Sequence, residues 1–366
     1  MKLPLLSELE PEQMDVYLHS AFKSLVVIGP PGSGKTSLAI WRALFATDQG
    51  QTVMLLTKNR TLSALAGQLS KEGQGGSFET STMHSYVWND YKDRFGKPPT
   101  EGIRDYNLRW PELLTTYAKA GVKPFVDHLM VDEGQNLPAE FFTWAQKHCA
   151  KTLSVFADEH QTTAEDGSTM ADLEELNVED WFRLVFNHRN TERIAALSGY
   201  FHAARKLPAA TPRRGAVGEV PRLVSISGWQ NVVTMVSNRL ANQAGSIGVI
   251  TYRQKHVKEI YEALRAALPK RRVDSYHSLM DRGAEFIKMR DDGVTVISGE
   301  SAIGLEFDAV YLHDLGRSLP ITEEMDRRRL YMLTARARDL LVLLNGPAKL
   351  DAAQLADLPP KPYLER

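Results

Sequence analysis

SLVVIGPPGSGKTS, residues 24–37, decides the reading of the fold. Ser24–Ile28 is a short apolar run ending in a Gly/Pro turn, the mark of a buried strand. Gly29–Ser37 fits the pattern G-x-x-x-x-G-K-[ST], and the spacing of Lys35–Ala46 predicts a helix immediately after it. Gly29, Gly32 and Gly34 let backbone N–H groups turn inward around phosphate oxygens, and the helix N-terminus adds positive potential. Pro30, Pro31, Ser33 and Ser37 complete the loop. Lys35 is suited to reach β- and γ-phosphates, and the Thr36 hydroxyl to sit on Mg²⁺. The string arises by chance in on the order of one chain in a hundred of this length, and its strand–loop–helix setting makes chance rarer. The stretch therefore predicts a nucleotide site.

Outward from this loop, strands alternate with helices, which argues for an α/β architecture with mostly parallel sheets. Strands are expected at Thr52–Leu56, Phe125–Val131 and Leu153–Ala157, and helices at Leu62–Leu69 and Pro138–His148. Tyr86–Val122, aromatic and mixed in charge, reads as a small helical insertion. Leu207–Gly218 is rich in Pro, Gly and Arg and is the linker candidate. The pattern then restarts, with helices at Trp229–Gln243 and Val257–Leu268 and strands near Val273 and at Ile247–Thr251, Val294–Ser298, Ala309–Leu312 and Leu340–Leu344. Expected boundaries are 1–206 for a first lobe, 207–218 for the linker and 219–366 for a second lobe.

HLMVDEGQ, residues 128–135, supplies the expected partners of the phosphate loop. Asp132 is suited to hold Mg²⁺ through water. Glu133 is suited to orient or deprotonate an attacking water.

Composition narrows the class. The chain has 366 residues, 43% hydrophobic and 24% charged, ordinary for a globular protein of two or three domains. Its net charge of −1 conceals an imbalance: residues 1–190 carry 18 basic and 25 acidic side chains, and residues 201–272 carry 13 basic against 3 acidic. Such asymmetry fits a polyanion lying against one part of the molecule, or two solvated faces of opposite sign. The single cysteine, Cys149, excludes an intramolecular disulfide framework and a multi-cysteine zinc site. The ten histidines show no H-x₃-H or H-E-x-x-H spacing, so a metal other than Mg²⁺ has no support in the sequence. No apolar run reaches the roughly 18 residues of a membrane span, and the start MKLPLLSELEPEQ turns acidic too soon for a secretion signal. A cytoplasmic protein is expected.

The order of motifs resembles a known family, the superfamily 1 helicases of the UvrD/Rep type. Gln13 resembles the family's adenine-reading glutamine. TMHSY (Thr82–Tyr86) resembles the T-F-H-S segment that touches single-stranded DNA, which singles out His84 and Tyr86. VDEGQ resembles the D-E-x-Q box, and VFADEHQ (Val155–Gln161) a segment whose Gln161 would sense the γ-phosphate. FNHRNT (Phe186–Thr191) resembles the N-Y-R box, making Arg189 an arginine finger, with His188 in place of the adenine-stacking tyrosine. IGLEFDAVYL (Ile303–Leu312) resembles K-G-L-E-F-D, whose Glu306 would contact ribose, and RRRLYMLTARARDLLVL (Arg327–Leu343) the last box, with Arg336 as a second finger. The resemblance implies a P-loop NTPase of two RecA-like lobes with parallel sheets and ATP with Mg²⁺ in the cleft between them. Lys35, Thr36, Asp132, Glu133, Gln161 and Arg189 would come from the first lobe, and Glu306 and Arg336 from the second. Single-stranded DNA, or RNA, is the implied partner; Lys58, Arg253, Lys255 and Lys258 are the basic candidates for it.

Departures fall on the nucleic-acid side. After the sensor segment the family has an aromatic-basic run whose rings stack on bases. This chain has TTAEDGSTMADLEELN, residues 162–177, with neither aromatic nor basic residues. Base–aromatic stacking is worth about 1–3 kcal/mol per base. The family's large second-lobe insertion also has no room. Two further readings therefore stay open: an ATP-driven regulatory subunit that docks on a protein partner such as a nuclease, and a small-molecule phosphotransferase, which has only the phosphate loop in its favour.

Overall fold

The computed structural model describes residues 3–57, 63–64, 66–68, 77–102, 107–158, 167–202, 211–215, 217–277 and 292–366. The chain forms two compact units. The N-terminal unit comprises Leu3–Gly29 and Gly34–Leu184, and the C-terminal unit comprises Val185–Arg366 together with Pro30–Ser33.

The N-terminal unit is built on six strands: β1 (Leu25–Ile28), β2 (Val53–Thr57), β3 (Glu79–Thr82), β4 (Val126–Asp132), β5 (Ala150–Ala157) and β6 (Asp180–Arg183). They lie in the order β3-β2-β4-β5-β1-β6, every pairing parallel. Strands covered on both faces read as continuous apolar runs, and LVVI of β1 and VMLLT of β2 are buried throughout. Parallel strands require crossovers, and the helix Lys35–Asp48 leads from β1 towards β2 with Leu38, Ala39, Ile40 and Ala43 buried. The segment expected as an insertion contributes two helices, Met83–Phe95 and Trp110–Lys119. Tyr117 from the second meets Trp144 at 5.8 Å and Tyr91 from the first at 6.0 Å, so these helices extend the aromatic core.

His128 is an example of a structural histidine inside this sheet. It is fully buried on β4, with Nε2 2.8 Å from Ser154 Oγ and Nδ1 3.2 Å from Gln51 Oε1. Burial, reinforced by the charge of Arg42, lowers its pKa from 6.5 to about 3. The native ring therefore stays neutral where the unfolded chain takes up a proton. Its contribution is complete above about pH 6.5 and is lost as pH falls towards 3. Between pH 6.5 and 5 this amounts to about 2 kcal/mol. A urea midpoint measured at both pH values should fall accordingly, and His128→Gln should flatten the difference; an unchanged pH response in the variant would assign it to other groups.

The C-terminal unit repeats the architecture. Its strands β9 (Arg222–Ser225), β10 (Ser246–Thr251), β11 (Val273–Tyr276), β12 (Gly293–Ser298), β13 (Phe307–Leu312) and β14 (Ala337–Asn345) form a second parallel sheet, in the order β11-β12-β10-β13-β14-β9. Val232, Val236 and Leu240 of the helix Trp229–Asn242 are buried in its core, as are Val257, Ile260 and Leu264 of the helix Gln254–Ala267. A two-stranded ladder joins β7 (Phe186–Asn187) to β8 (Thr211–Pro212). The whole is a mixed α/β fold with two parallel sheets, consistent with two RecA-like lobes.

The division between the units falls between Leu184 and Val185 rather than at the 207–218 linker; residues 203–210 and 216 lie outside the described residues. The cause is a set of hydrogen bonds after β7. Asn190 Nδ2 donates to the carbonyls of Ala335, at 3.1 Å, and Ala337, and the Thr191 N–H donates to Arg338 O at 3.1 Å. No helix among the described residues is long and apolar enough to cross a membrane.

Candidate nucleotide-binding site

In the N-terminal unit the chemistry gathers at the C-terminal ends of β1, β4 and β5, where parallel α/β sheets hold ligands. Gly34, at φ +89, caps the N-terminus of Lys35–Asp48 in the left-handed region that glycine enters without a Cβ penalty. A Cβ there would come 2.6 Å from Gln13 Nε2, so the Gln13 amide lies against the phosphate loop. Gln13 Oε1 in turn accepts from the Glu10 N–H at 3.0 Å, closing the first turn of the helix Pro11–Leu18.

Lys35 Nζ donates to Gly29 O at 2.6 Å and pairs with Asp158 Oδ2 at 3.5 Å; these side chains are 8% and 1% exposed. Thr36 Oγ1 donates to Asp132 Oδ2 at 2.7 Å. The other carboxylate oxygen, Asp132 Oδ1, is buried with no hydrogen bond from the described residues. Burial, then the neighbouring Glu133 charge, raises the Asp132 pKa to about 7. A hydroxyl and a carboxylate with an unused, buried oxygen form an all-oxygen donor set, which suits a hard cation such as Mg²⁺.

Glu133 adopts φ +59, a left-handed conformation that costs a non-glycine residue roughly 1–2 kcal/mol. The conformation is held by its surroundings. Gln135 Nε2 donates to Glu133 Oε2 at 2.7 Å and Asn136 Nδ2 at 3.4 Å, while Gln135 Oε1 accepts from the Asp158 N–H at 2.9 Å. Gln135 thereby ties the candidate base to the end of β5. Gly134 has no room for a side chain, since a Cβ would meet Val155 Cγ1 at 2.5 Å.

In the C-terminal unit, Asn187 organises the turn carrying His188 and Arg189. Its Oδ1 accepts from the backbone N–H groups of Arg189 at 3.0 Å and Asn190 at 3.1 Å, and its Nδ2 donates to Asn190 Oδ1 at 2.7 Å. The His188 N–H donates to Gly32 O at 2.9 Å, bringing Pro30–Ser33 against this turn. Gly32, at φ +80, must be glycine: a Cβ would fall 2.3 Å from Asn187 Oδ1. Arg189 Nε donates to Glu306 Oε2 at 2.7 Å. Burial, the largest single effect, raises the Glu306 pKa, but the charges of Arg189 and Arg338 and the Arg189 hydrogen bond, among other effects, together outweigh it and the net shift is downward. Arg189 NH1 is buried without a hydrogen bond among the described residues. Arg336, 2% exposed, donates from Nε to Met332 O at 2.9 Å and from NH1 to Leu305 O at 3.4 Å.

Of the residues singled out for nucleic acid, His84 and Tyr86 belong to the N-terminal unit and Arg253, Lys255 and Lys258 to the C-terminal unit. His84 Nε2 lies 3.4 Å from Glu101 Oε1, and Tyr86 packs its ring edge-on to Trp144 at 6.2 Å. Arg253, Lys255 and Lys258 are exposed, and Lys258 Nζ lies 3.9 Å from Glu262. Lys58 and Gln161 lie outside the described residues. A cavity of about 590 Å³, lined by Trp110, Pro138 and Asp172 among others, involves none of the phosphate-loop residues.

Two similar solved structures are described as a helicase and a possible helicase. One, the structure of PRRSV helicase, is 14% identical with a TM-score of 0.45; the match covers 95% of this chain and 57% of that one. Another is the C-terminal domain of a possible DNA helicase from Lactobacillus plantarum WCFS1, 20% identical with a TM-score of 0.35, covering 49% of this chain and 97% of that one. The chain thus spans little more than half the length of the PRRSV helicase chain. No protein-family model matches the sequence, and no curated protein matches it. The functional reading accordingly rests on the residues themselves.

Four functional positions escaped the sequence reading. Gln135 and Asn136, which hold Glu133, stand beside it in VDEGQN, and the glutamine of the D-E-x-Q pattern was their available signal. Asn187, two residues before Arg189, had the N-Y-R resemblance as its signal. Asp158, the buried partner of Lys35, had as its signal the VFADEHQ resemblance, in which it stands three residues before Gln161.

Proposed function

We propose that the chain is an ATP-hydrolysing motor of the superfamily 1 type, using Mg²⁺ and binding or moving along single-stranded nucleic acid, DNA in the first instance. The observation that carries this reading is the grouping of Lys35, the Thr36–Asp132 pair and the Glu133–Gln135 pair at the ends of neighbouring strands. Lys35 has a charged head ready to exchange Gly29 O for phosphate oxygen. Thr36 and Asp132 would hold Mg²⁺, which when bound neutralises phosphate charge. Glu133, fixed by two amide donors, accepts a hydrogen bond from the attacking water and takes its proton. Gln13 is placed for the base of the nucleotide. Arg189 keeps an unused buried donor for developing phosphate charge, whereas Arg336 already spends donors on two carbonyls. Of the two, Arg189 is the better supported finger. Glu306, here the partner of Arg189, would exchange that pairing for ribose. The reading places the protein in the cytoplasm, and helicase activity would be a further use of the same motor.

ATP hydrolysis by the purified chain should rise at least about tenfold with single-stranded DNA, and the stimulation should weaken steeply with added salt as counterion release loses its advantage. Replacing DNA by RNA in the same assay reads the preference. A rate indifferent to every nucleic acid, yet raised by a co-purifying protein, would overturn the motor in favour of a regulatory subunit.

A further inference from the structure

A cluster that shares no residue with the nucleotide site described above lies in the C-terminal unit, where Thr251 ends β10, His313 and Asp314 follow β13, and His256 occupies the first turn of the helix Gln254–Ala267. His256 Nδ1 is 2.9 Å from Asp314 Oδ2, and His313 Nδ1 is 3.4 Å from Asp314 Oδ1. The three side chains can each offer one ligand atom within 4.8 Å of the others.

Proton accounting shows what this cluster lacks. His313 Nε2 lies 2.7 Å from Gly346 O, which can only accept, so Nε2 carries a proton, and in the neutral ring Nδ1 presents its lone pair. That lone pair faces Asp314 Oδ1 and, at 3.4 Å, Thr251 Oγ1. Thr251 has a single hydroxyl proton, and it points to Asp314 Oδ2 at 2.7 Å. A ring only 3% exposed thus turns an acceptor towards a carboxylate and a hydroxyl whose proton is already used. A cation bound among them gives that lone pair a partner.

We propose that His256, His313 and Asp314 bind a divalent transition-metal ion of the zinc class. Two imidazole nitrogens and one carboxylate are its ordinary donors, and with Zn–N and Zn–O bonds of about 2.0–2.2 Å neighbouring ligand atoms of a tetrahedron lie about 3.3–3.5 Å apart. His256 Nδ1 faces Asp314 Oδ2 at 2.9 Å and His313 Nδ1 faces Asp314 Oδ1 at 3.4 Å, and with one ligand atom from each residue inside 4.8 Å of the others the three need close by no more than about 1.5 Å around an ion of these bond lengths. The Gly346 carbonyl orients the His313 ring as outer partners of metal-bound imidazoles do. Asp314 stands at φ +60, a left-handed backbone conformation of the kind retained at ligand positions. Its other neighbours are the Arg253 N–H at 3.1 Å and the Arg253 Nε at 3.8 Å; that side chain is half exposed and has room to withdraw. The bound ion fastens the start of a helix to the end of β13, and the three protein ligands leave a fourth position for water.

The test uses the full chain, stripped with a chelator and free of nucleotide. Titration with Zn²⁺ against a chromophoric competitor should show one equivalent bound. His256→Ala should weaken binding at least tenfold. Asp314→Asn should do the same while folding normally, because asparagine suits a left-handed backbone. Asp132→Asn should leave Zn²⁺ affinity unchanged, which separates this site from the nucleotide's metal. Trp229 lies 4.9 Å from the His313 ring and 5.4 Å from that of His256, so Co²⁺ should quench its fluorescence, and Trp229→Phe should remove that quenching. No stoichiometric binding, or equal affinity in the wild type, His256→Ala and Asp314→Asn, overturns the proposal. So does a Trp229 signal that titrates with pH and ignores metal, which assigns the cluster to a buried imidazolium–carboxylate pair.

Discussion

Lys35→Ala should lower the rate of ATP hydrolysis by on the order of 10²–10³-fold or more, the usual loss when one fixed donor to developing transition-state charge is removed. It should also lower stability. Lys35 and Asp158 are a buried pair, 8% and 1% exposed, and deleting one member of such a pair costs about 3–5 kcal/mol because a charge is left behind. A lost rate in Lys35→Ala alone could therefore come from unfolding. The double variant Lys35→Ala with Asp158→Asn separates the two effects, since it leaves no uncompensated carboxylate. Its thermal midpoint should recover towards that of the wild type while turnover stays lost. Hydrolysis returning with stability would remove Lys35 from the chemistry. A single variant as stable as wild type would mean that solvent reaches Asp158.

Arg42→Ala should destabilise the protein more than any other single change away from the nucleotide residues. Arg42 is 1% exposed on the helix that follows the phosphate loop. One guanidinium nitrogen donates to Val16 O at 2.7 Å and His19 O at 3.0 Å, and the other to Ser20 O at 3.1 Å. These are the carbonyls at the C-terminal end of the helix Pro11–Leu18, a helix end that otherwise leaves acceptors unmet. Burial lowers the Arg42 pKa to about 10, still well above neutrality, so the group stays charged and its bonds are charge-assisted. Losing them should cost about 3–5 kcal/mol, or roughly 10 °C in thermal midpoint for a unit of this size. Because the same helix carries Gln13, the surviving folded protein should show a raised KM for ATP with a smaller change in kcat. A KM unchanged in a destabilised variant would uncouple Gln13 from the nucleotide base.

What could be read from the sequence follows the distribution of apolar residues. Strands β1, β2, β4 and β5 are covered on both faces and announce themselves as apolar runs. The edge strands β3, β6 and β9 are half exposed, with sequences ETST, DWFR and RLVS that carry no such run. The phosphate loop and the Asp132–Glu133 pair were legible because each is contiguous and ends a buried strand. Pairings made by the fold were not. Arg189 meets Glu306 across 117 residues, and His256 meets Asp314 across 58, with no spacing rule linking either. The zinc-class cluster therefore stands where histidine spacing offered nothing.

The strand order of the N-terminal unit has a geometric result. β5 lies between β1 and β4, so the phosphate loop and Asp132 start from strands two spacings apart, about 9.6 Å. Backbone hydrogen bonds across three strands set that span, and no side chain does. The sheet works here as a ruler: substitutions at Lys35, Asp132 or Glu133 alter what is offered to a nucleotide but not how far apart the offers are made. Only a change in the width of β5's place, such as an inserted bulge, would recalibrate it.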